Sequence, residues 1–415
     1  MVRIHASIQL IIFTLLLLAC KNNNGDREVT VASFEVAKKV ENDIIPGAER
    51  LALYYPKLKN KRVACVVNHT SMIKENHLID SLLNMKVNVV KVFAPEHGFR
   101  GKQSDGEKVE NGIDEKSGLP IISLYGKNKK PSPEDLDGVD VLLFDIQDVG
   151  VRFYTYLSTM HYIMEAGAES NIPVIVLDRP NPHADYIDGP LLKKEFRSFV
   201  GLHPVPVVYG MTIGEYAKMI NGEGWLKNGI KSKLTVIPIS NYHREDYYSL
   251  PVNPSPNLPN MRSILLYPSI CFFEGTTISV GRGTNKQFQV LGNPQMTGEP
   301  YSFTPNPNEG SKYPPHQDKK CYGVDLSSLT LGSLKDLNKL DLQWVLKFFS
   351  KCQEKNIPFF LETNHFNRLA GTDQLKKQIL AGKSEIEIRE SWEEDLIAFA
   401  SIRNKYLIYP SQDTF

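Results

Sequence analysis

The sequence has almost no excess of charge of either sign. Its 415 residues include 48 Lys and Arg and 47 Asp and Glu, so the formal net charge at pH 7 is +1. Because a nucleic-acid-binding protein needs basic residues to neutralise phosphates, this balance argues against nucleic acid as a partner. The length predicts two or three domains rather than one small core.

Paired cysteines and metal-ligand motifs are also lacking. The chain has five cysteines, none in a Cys-x-x-Cys pair, and no His-Glu-x-x-His motif. This excludes a zinc ribbon, a thioredoxin-like site and a typical zinc hydrolase helix. We therefore expect no metal and no other cofactor. Cys321 and Cys352 could pair in an oxidising compartment, but we favour free buried thiols.

The apolar run near the N-terminus is too short to span a membrane. Residues Leu10–Leu18 have the length of a signal-peptide core. The following Ala19-Cys20 completes a segment that resembles a bacterial lipobox. We predict a lipoprotein signal peptide over residues 1–20, lipid attachment at Cys20 with anchoring to the cell envelope, and a polar tether over residues 21–45. The alternative is a generic signal peptide with an incidental cysteine.

Short runs rich in Val, Ile and Leu alternate with helical patterns over residues 46–260. Such runs predict a parallel sheet with helices on both faces, which is a doubly wound, Rossmann-like α/β domain. The predicted strands are Arg62–Asn68, Val87–Ala94, Leu119–Leu124, Val139–Asp145 and Pro173–Asp178. The predicted helices are Ile73–Met85, Tyr156–Ser170 and Thr212–Asn221.

Prolines at 251, 254, 256 and 259 interrupt this pattern, so a domain boundary is expected near residue 260. Residues 261–415 predict a smaller α+β domain that completes a cleft. Its predicted strands are Ser263–Tyr267 and Cys321–Leu326, and its predicted helices are Leu342–Gln353, Asp373–Leu380 and Ser391–Tyr406. Residues Asn293–Asp318 are rich in Pro and Asn and predict a long loop.

The loop after the second predicted strand contains the sharpest catalytic candidate, Glu96. Pro95 and Gly98 allow a stiff, tight loop, which suits a carboxyl group acting as general acid. The competing interpretation is a surface Glu paired with Arg100. His97 is a candidate substrate contact, although adjacent side chains in an extended chain point apart.

The loop after the fourth predicted strand concentrates further polar groups. Asp145 or Asp148 could stabilise an oxocarbenium-like transition state or activate water, and both are candidate catalytic residues. The competing interpretation is that Asp148 caps the following helix. Gln147, Arg152 and Tyr154 are candidate substrate-binding residues.

Other loops supply the remaining candidates. The fifth predicted strand is followed by Arg179 and Asn181, and the second half contributes Asn257, Glu274 and Arg282. Because ligands bind outside the carboxyl ends of parallel strands, we expect the candidates that follow the strands to share one edge. The Gly-Arg-Gly-Thr turn around Arg282 is no GxGxxG motif and precedes no helix pattern, which argues against a nucleotide cradle.

Taken in order, these motifs resemble those of the exo-β-N-acetylmuramidase family called NamZ. The resemblance spans nearly the whole chain after residue 45. Its motifs are Pro95-Glu96-His97-Gly98, Asp145 to Tyr156, Asp178-Arg179-Pro180-Asn181-Pro182, Val208 to Thr212, Pro254 to Asn257 and Glu274 to Thr284. It implies a Rossmann-like first domain, a smaller second domain and exo-hydrolysis of terminal N-acetylmuramic acid from peptidoglycan-derived sugars. It also implies Glu96 as catalytic acid. Thr277 stands where Asn is expected in many relatives, so contacts there are an open question.

Muramic acid carries a lactyl carboxylate, for which an arginine fork is the natural partner. Arg152, Arg179 and Arg282 are candidates, and we favour Arg282 or Arg179. Two other functions are compatible with the sequence. One is a non-catalytic, sugar-binding surface lipoprotein, and the other is a metal-dependent esterase or amidase acting on cell-wall peptides.

Overall fold

The β-branched runs of the first half form strands buried on both faces. The computed structural model describes residues 43–96, 98–99, 111–126 and 128–411. Its strands are β1 (Val63–Val67), β2 (Met72–Ile73), β3 (Asn76–His77), β4 (Val89–Ala94), β5 (Gly112–Ile113), β6 (Pro120–Ser123), β7 (Val141–Asp145), β8 (Val174–Leu177), β9 (Leu234–Ile237), β10 (Val290–Asn293), β11 (Tyr301–Phe303) and β12 (Cys321–Asp325). Every residue of β1, β7 and β8 is buried, as expected for strands covered by helices on both sides.

Among the described residues, seven strands form one sheet in the order β5-β6-β4-β1-β7-β8-β9. Six are parallel, and β5 runs antiparallel to β6 at the edge. Counted along the chain, the parallel strands lie in the order 3-2-1-4-5-6, which is that of a Rossmann fold. The predicted fold class is confirmed. All five predicted strands are present, whereas β5 and β9 were not predicted.

Helices cover the two faces of this sheet. One face packs α1 (Leu51–Leu58) and α2 (Leu78–Asn84) against alternate β1 side chains, and the other packs α3 (Tyr156–Glu169) and α4 (Ile213–Gly222). The helix predicted to begin at Ile73 begins at Leu78, because residues 72–77 form the hairpin of β2 and β3.

The second half forms a smaller antiparallel sheet, with β12 between β10 and β11 in the described part of the chain. The surrounding helices are α5 (Met261–Ile270), α6 (Leu331–Lys335), α7 (Gln343–Glu354), α8 (His365–Ala370), α9 (Gln374–Leu380), α10 (Glu385–Glu390) and α11 (Glu393–Arg403).

The strand predicted over Ser263–Tyr267 is wrong, because these residues lie inside helix α5. Asn260 begins this helix with a capping box in which its side chain accepts from the Ser263 N–H and the Ser263 hydroxyl interacts with the Asn260 backbone. A short apolar run cannot by itself separate a buried helix from a buried strand, and the cap decides it.

The described residues from Asp43 onward belong to one compact unit, so the boundary near residue 260 stays a prediction. The predicted signal peptide, Cys20 and most of the predicted tether lie outside the described residues. No helix within the described ranges is long and apolar enough to cross a membrane.

Replacing Asn260 by Ala should lower the free energy of unfolding by about 1 kcal/mol, because helix α5 loses its N-cap. Urea denaturation measures this change. Asn260→Ser is the matched control and should retain nearly full stability, since Ser caps as well as Asn. Equal stability of the Ala variant and the wild type would contradict the cap's contribution.

Candidate functional site

A cavity of about 470 Å³ lies where loops leaving the parallel sheet meet loops from the second half of the chain. Glu96 follows β4, and residues 153–156 follow β7. The opposite walls include residues from 255–258 and 271–282. Its volume falls in the range of roughly 300–1,000 Å³ that is typical of small-molecule sites.

Glu96 lines this cavity and is half-buried. The hydroxyl of Thr155 donates to Glu96 Oε2 at 2.9 Å. Thr155 is the N-cap residue of α3, yet its side chain makes no capping hydrogen bond to that helix. Its hydroxyl therefore orients the candidate acid rather than the helix terminus.

Tyr154, in the loop after β7, and Tyr156, the first residue of α3, form an aromatic wall beside Glu96. The rings of Tyr154 and Tyr156 meet edge to face with centroids 4.9 Å apart. Tyr154 donates its hydroxyl to Pro254 O at 2.7 Å, and Tyr156 accepts from Asn68 Nδ2 at 2.8 Å. These hydrogen bonds fix rings whose apolar faces can pack on a sugar.

Glu274 and Arg282 lie together in the cavity lining. Arg282 Nε donates to Glu274 Oε1 at 2.5 Å, and the guanidinium carbon lies 5.2 Å from the centre of the Phe288 ring. The flanking Gly281 and Gly283 have φ of +80° and +78°, a conformation that glycine adopts without strain. The arginine is therefore presented on a tightly turned loop.

Two further contacts hold in place the cavity walls that come from the second half of the chain. Asn257, which lines the cavity, donates through Nδ2 to Gly310 O at 2.6 Å. His316 Nε2 lies 2.7 Å from Thr277 O, and both residues also line the cavity. The Pro- and Asn-rich loop is thus fixed to the cavity wall.

Asp145 and Arg179 do not reach the cavity. They are buried and form a two-point ion pair, with Arg179 Nε 2.6 Å from Oδ1 and Nη2 2.8 Å from Oδ2 of the aspartate. Arg179 also donates to Met72 O at 2.9 Å. Because the two charges neutralise each other away from the lining, neither the catalytic hypothesis for Asp145 nor the lactyl-binding hypothesis for Arg179 fits this geometry.

Asp148 is buried and also lies outside the cavity lining. The Tyr209 hydroxyl and the Gly150 N–H both donate to its Oδ2. Burial raises the pKa of Asp148 to about 7, partly offset by these donors. Asp148 does not cap α3, whose N-cap is Thr155. Gln147 donates to Asp148 O and Pro180 O, so its amide stabilises the loop rather than lining the cavity.

Arg152 and Asn181 also bond to the protein backbone and do not line the cavity. Arg152 is buried and donates to the carbonyls of Pro190, Val205 and Leu369, at 2.7–2.9 Å. Asn181 is buried, donates to Met211 O and accepts from the His183 N–H. The substrate-binding hypotheses for these two residues are therefore not supported by their positions. His97 and Arg100 lie outside the described residues.

The described lining thus combines two carboxylates, a guanidinium and aromatic rings, which suits acid–base chemistry on a sugar. Two family models describe the chain. That of the exo-beta-N-acetylmuramidase NamZ N-terminal domain matches residues 63–262, and that of its C-terminal domain matches residues 265–409. The chain belongs to the NamZ family.

Individual relatives agree with this assignment. The chain is 40% identical to the peptidoglycan beta-N-acetylmuramidase NamZ of Bacillus subtilis strain 168, an alignment that covers 86% of this chain and 89% of that protein. Two crystal structures of DUF1343 family proteins from Bacteroides fragilis NCTC 9343 have the same fold. Their TM-scores are 0.82 and 0.75 at 45% and 28% identity, and the matches cover 89% and 88% of this chain and 100% and 99% of those proteins.

The structure of this NamZ family member also adds cavity residues that the sequence did not single out. Thr155 lies within the Asp145 to Tyr156 motif that follows β7. Its place in that motif could have marked it as a candidate. His316 and His365 also line the cavity, but isolated histidines in loops or at a helix start give no such signal. Within the described residues, no group of three or more His, Cys, Asp or Glu side chains could hold a metal ion.

The raised pKa of Asp148 predicts a pH dependence of stability. The folded state binds a proton that the unfolded Asp, with an ordinary pKa of about 4, releases. Stability should therefore fall as pH rises from about 4 to about 7. Asp148→Asn removes this titration, so its stability relative to wild type should increase between pH 5 and pH 7 and then level off.

Urea denaturation across this pH range measures the difference. Asp178 is a second buried carboxyl with a pKa raised by burial to about 7, and it remains in both proteins. A stability difference that is independent of pH would contradict the assignment to Asp148.

Proposed function

We propose that this chain hydrolyses the glycosidic bond of terminal N-acetylmuramic acid in peptidoglycan fragments, for cell-wall turnover and recycling, with Glu96 as the proton donor. The observation that carries the proposal is the placement of Glu96. It lies in an aromatic-walled cavity at the carboxyl edge of the sheet, in a chain of the NamZ family.

Glu96 has the surroundings that a general acid needs. It is half-buried beside Tyr154 and Tyr156, and the Thr155 hydroxyl fixes one of its oxygens. A hydroxyl can donate to the ionised carboxylate and, after rotation, accept from the protonated acid. Glu96 can therefore protonate the departing glycosidic oxygen while the bond to the sugar carbon breaks. A water molecule then adds to that carbon and releases a proton to solvent, from which Glu96 regains its own.

The second carboxylate of the described lining is Glu274, held by Arg282. Asp145 and Asp148 are buried and lie outside the cavity lining. Their positions support a role in fixing the β7 loop, and the chemistry at the sugar is assigned to Glu96.

The location of the activity follows from the substrate and from the N-terminal sequence. Peptidoglycan lies outside the cytoplasmic membrane, and the lipobox-like segment ending at Cys20 suits an exported protein held by a lipid anchor. Two acyl signals are needed for stable attachment, which lipid modification of a bacterial N-terminal cysteine supplies. We propose that the protein is anchored to the cell envelope through Cys20.

Glu96→Gln should reduce hydrolysis of a disaccharide with non-reducing N-acetylmuramic acid by about 10²- to 10⁴-fold, the usual contribution of a general acid. A 4-nitrophenyl glycoside of the same sugar has a leaving group that needs little protonation. Its hydrolysis should therefore fall much less. Product release measured by chromatography and by absorbance compares the two.

Glu195→Gln is the matched control, because Glu195 is exposed and outside the cavity, and it should behave like wild type on both substrates. Thermal unfolding checks that the Glu96 variant is folded. Equal losses on both substrates would contradict the assignment of Glu96 as proton donor. Full activity of Glu96→Gln would contradict the proposed active site as a whole.

Cys20→Ala should release the protein from the envelope, since the acyl chains have no attachment point. Fractionation of cells expressing wild type and variant, followed by detergent partitioning, measures the anchored fraction. Retention of the variant with the membranes at the wild-type level would rule out Cys20 as the anchor.

A further inference from the structure

N-acetylmuramic acid differs from N-acetylglucosamine by one group, a lactyl ether that ends in a carboxylate. An enzyme that selects the muramic sugar must therefore recognise that anion. Without a cation, the two carboxylates of the described lining, Glu96 and Glu274, would repel it. The following inference rests on the proposed function and concerns which residue makes the selection.

Two of the three candidate arginines have their partners elsewhere in the fold. The Arg179 guanidinium forms a two-point ion pair with Asp145, and Arg152 donates to three backbone carbonyls. Both lie outside the cavity lining. Arg282 is the only arginine among the described residues that line the cavity.

The orientation of the Arg282 side chain is also fixed before a ligand binds. Glu274 accepts from its Nε, which sets the plane of a guanidinium that has five N–H donors in all. Phe288 lies against the guanidinium, at 5.2 Å. An orientation set before binding reduces the entropy lost when the ligand is bound.

The loop that carries Arg282 has little room to move. A side-chain Cβ at Gly281 would lie 2.7 Å from Lys286 O, and one at Gly283 would lie 2.6 Å from Asn306 O. The Asn306 N–H donates to Gly283 O at 2.8 Å. These contacts tie the loop to the Pro- and Asn-rich segment and keep Arg282 at the cavity wall.

Apolar side chains share the cavity lining with Arg282. Ile278, Val280 and Phe288 belong to it and are each at most 3% exposed. In such surroundings a carboxylate–guanidinium contact is stronger than in water. We propose that Arg282, oriented by Glu274, binds the lactyl carboxylate and makes the cavity selective for muramic over glucosamine sugars.

Calorimetric titration of N-acetylmuramic acid and N-acetylglucosamine into the purified protein tests this assignment. Arg282→Met should weaken binding of the muramic sugar by roughly 10- to 100-fold, the usual loss for a hydrogen-bonded charge, and leave the glucosamine affinity within a few-fold. Arg282→Lys keeps the charge but loses the planar fork, so it should give an intermediate loss. Arg197→Met, at an exposed site outside the cavity, is the matched control.

Equal weakening of both sugars, or unchanged binding of both, would overturn the assignment. The wild-type protein gives a test that does not depend on variant folding. The methyl ester of the lactyl group should bind wild type as weakly as the free acid binds Arg282→Met, and an ester that binds as well as the acid would also overturn it.

These outcomes are separable from failure of the proposed function. If Glu96→Gln retains full hydrolysis of the disaccharide, the catalytic proposal fails whatever Arg282 binds. If Glu96→Gln is inactive while Arg282→Met keeps its preference for the muramic sugar, only the specificity assignment fails.

Discussion

The parallel register of the central strands is the constraint on which the rest of the structure depends. Val66 of β1 lies opposite Phe93 of β4 and Phe144 of β7, so these strands end at nearly the same level. Burial on both faces maintains this register, since a shift would misplace every apolar side chain. The loops that follow the strands are consequently held side by side, and the cavity lies at that edge.

The sheet and its edge were predictable because they follow from local patterns. Runs of Val, Ile and Leu are distinctive when both faces of a strand are buried, and all five predicted runs became strands. The helix around Ser263 was mistaken because its apolar run has no helical periodicity and its start is set by the Asn260 cap. The strand Leu234–Ile237 was missed because its first three residues are only partly buried, which weakens the pattern.

Acidic residues after strands proved harder to interpret than the strands themselves. Glu96 follows β4, Asp145 ends β7 and Asp148 comes shortly after it, but of the three only Glu96 lines the cavity. The other two are buried outside the lining, bonded to Arg179 and Tyr209. A single sequence does not distinguish these cases, because the difference lies in partners that are 34 and 61 residues away. For the same reason, the sequence did not show which residues of the second half line the cavity, since that is decided by tertiary packing.

Arg152 has a consequence for the movement of the two halves of the chain. Its guanidinium joins the β7 loop to Leu369 of α8, across the point where the family models divide. Among the described contacts of Arg152 there is no acidic side chain. Opening the two halves at this level would remove carbonyl partners from a buried positive charge, which is energetically unfavourable. These hydrogen bonds therefore hold the two halves together at this level and oppose a large hinge movement there.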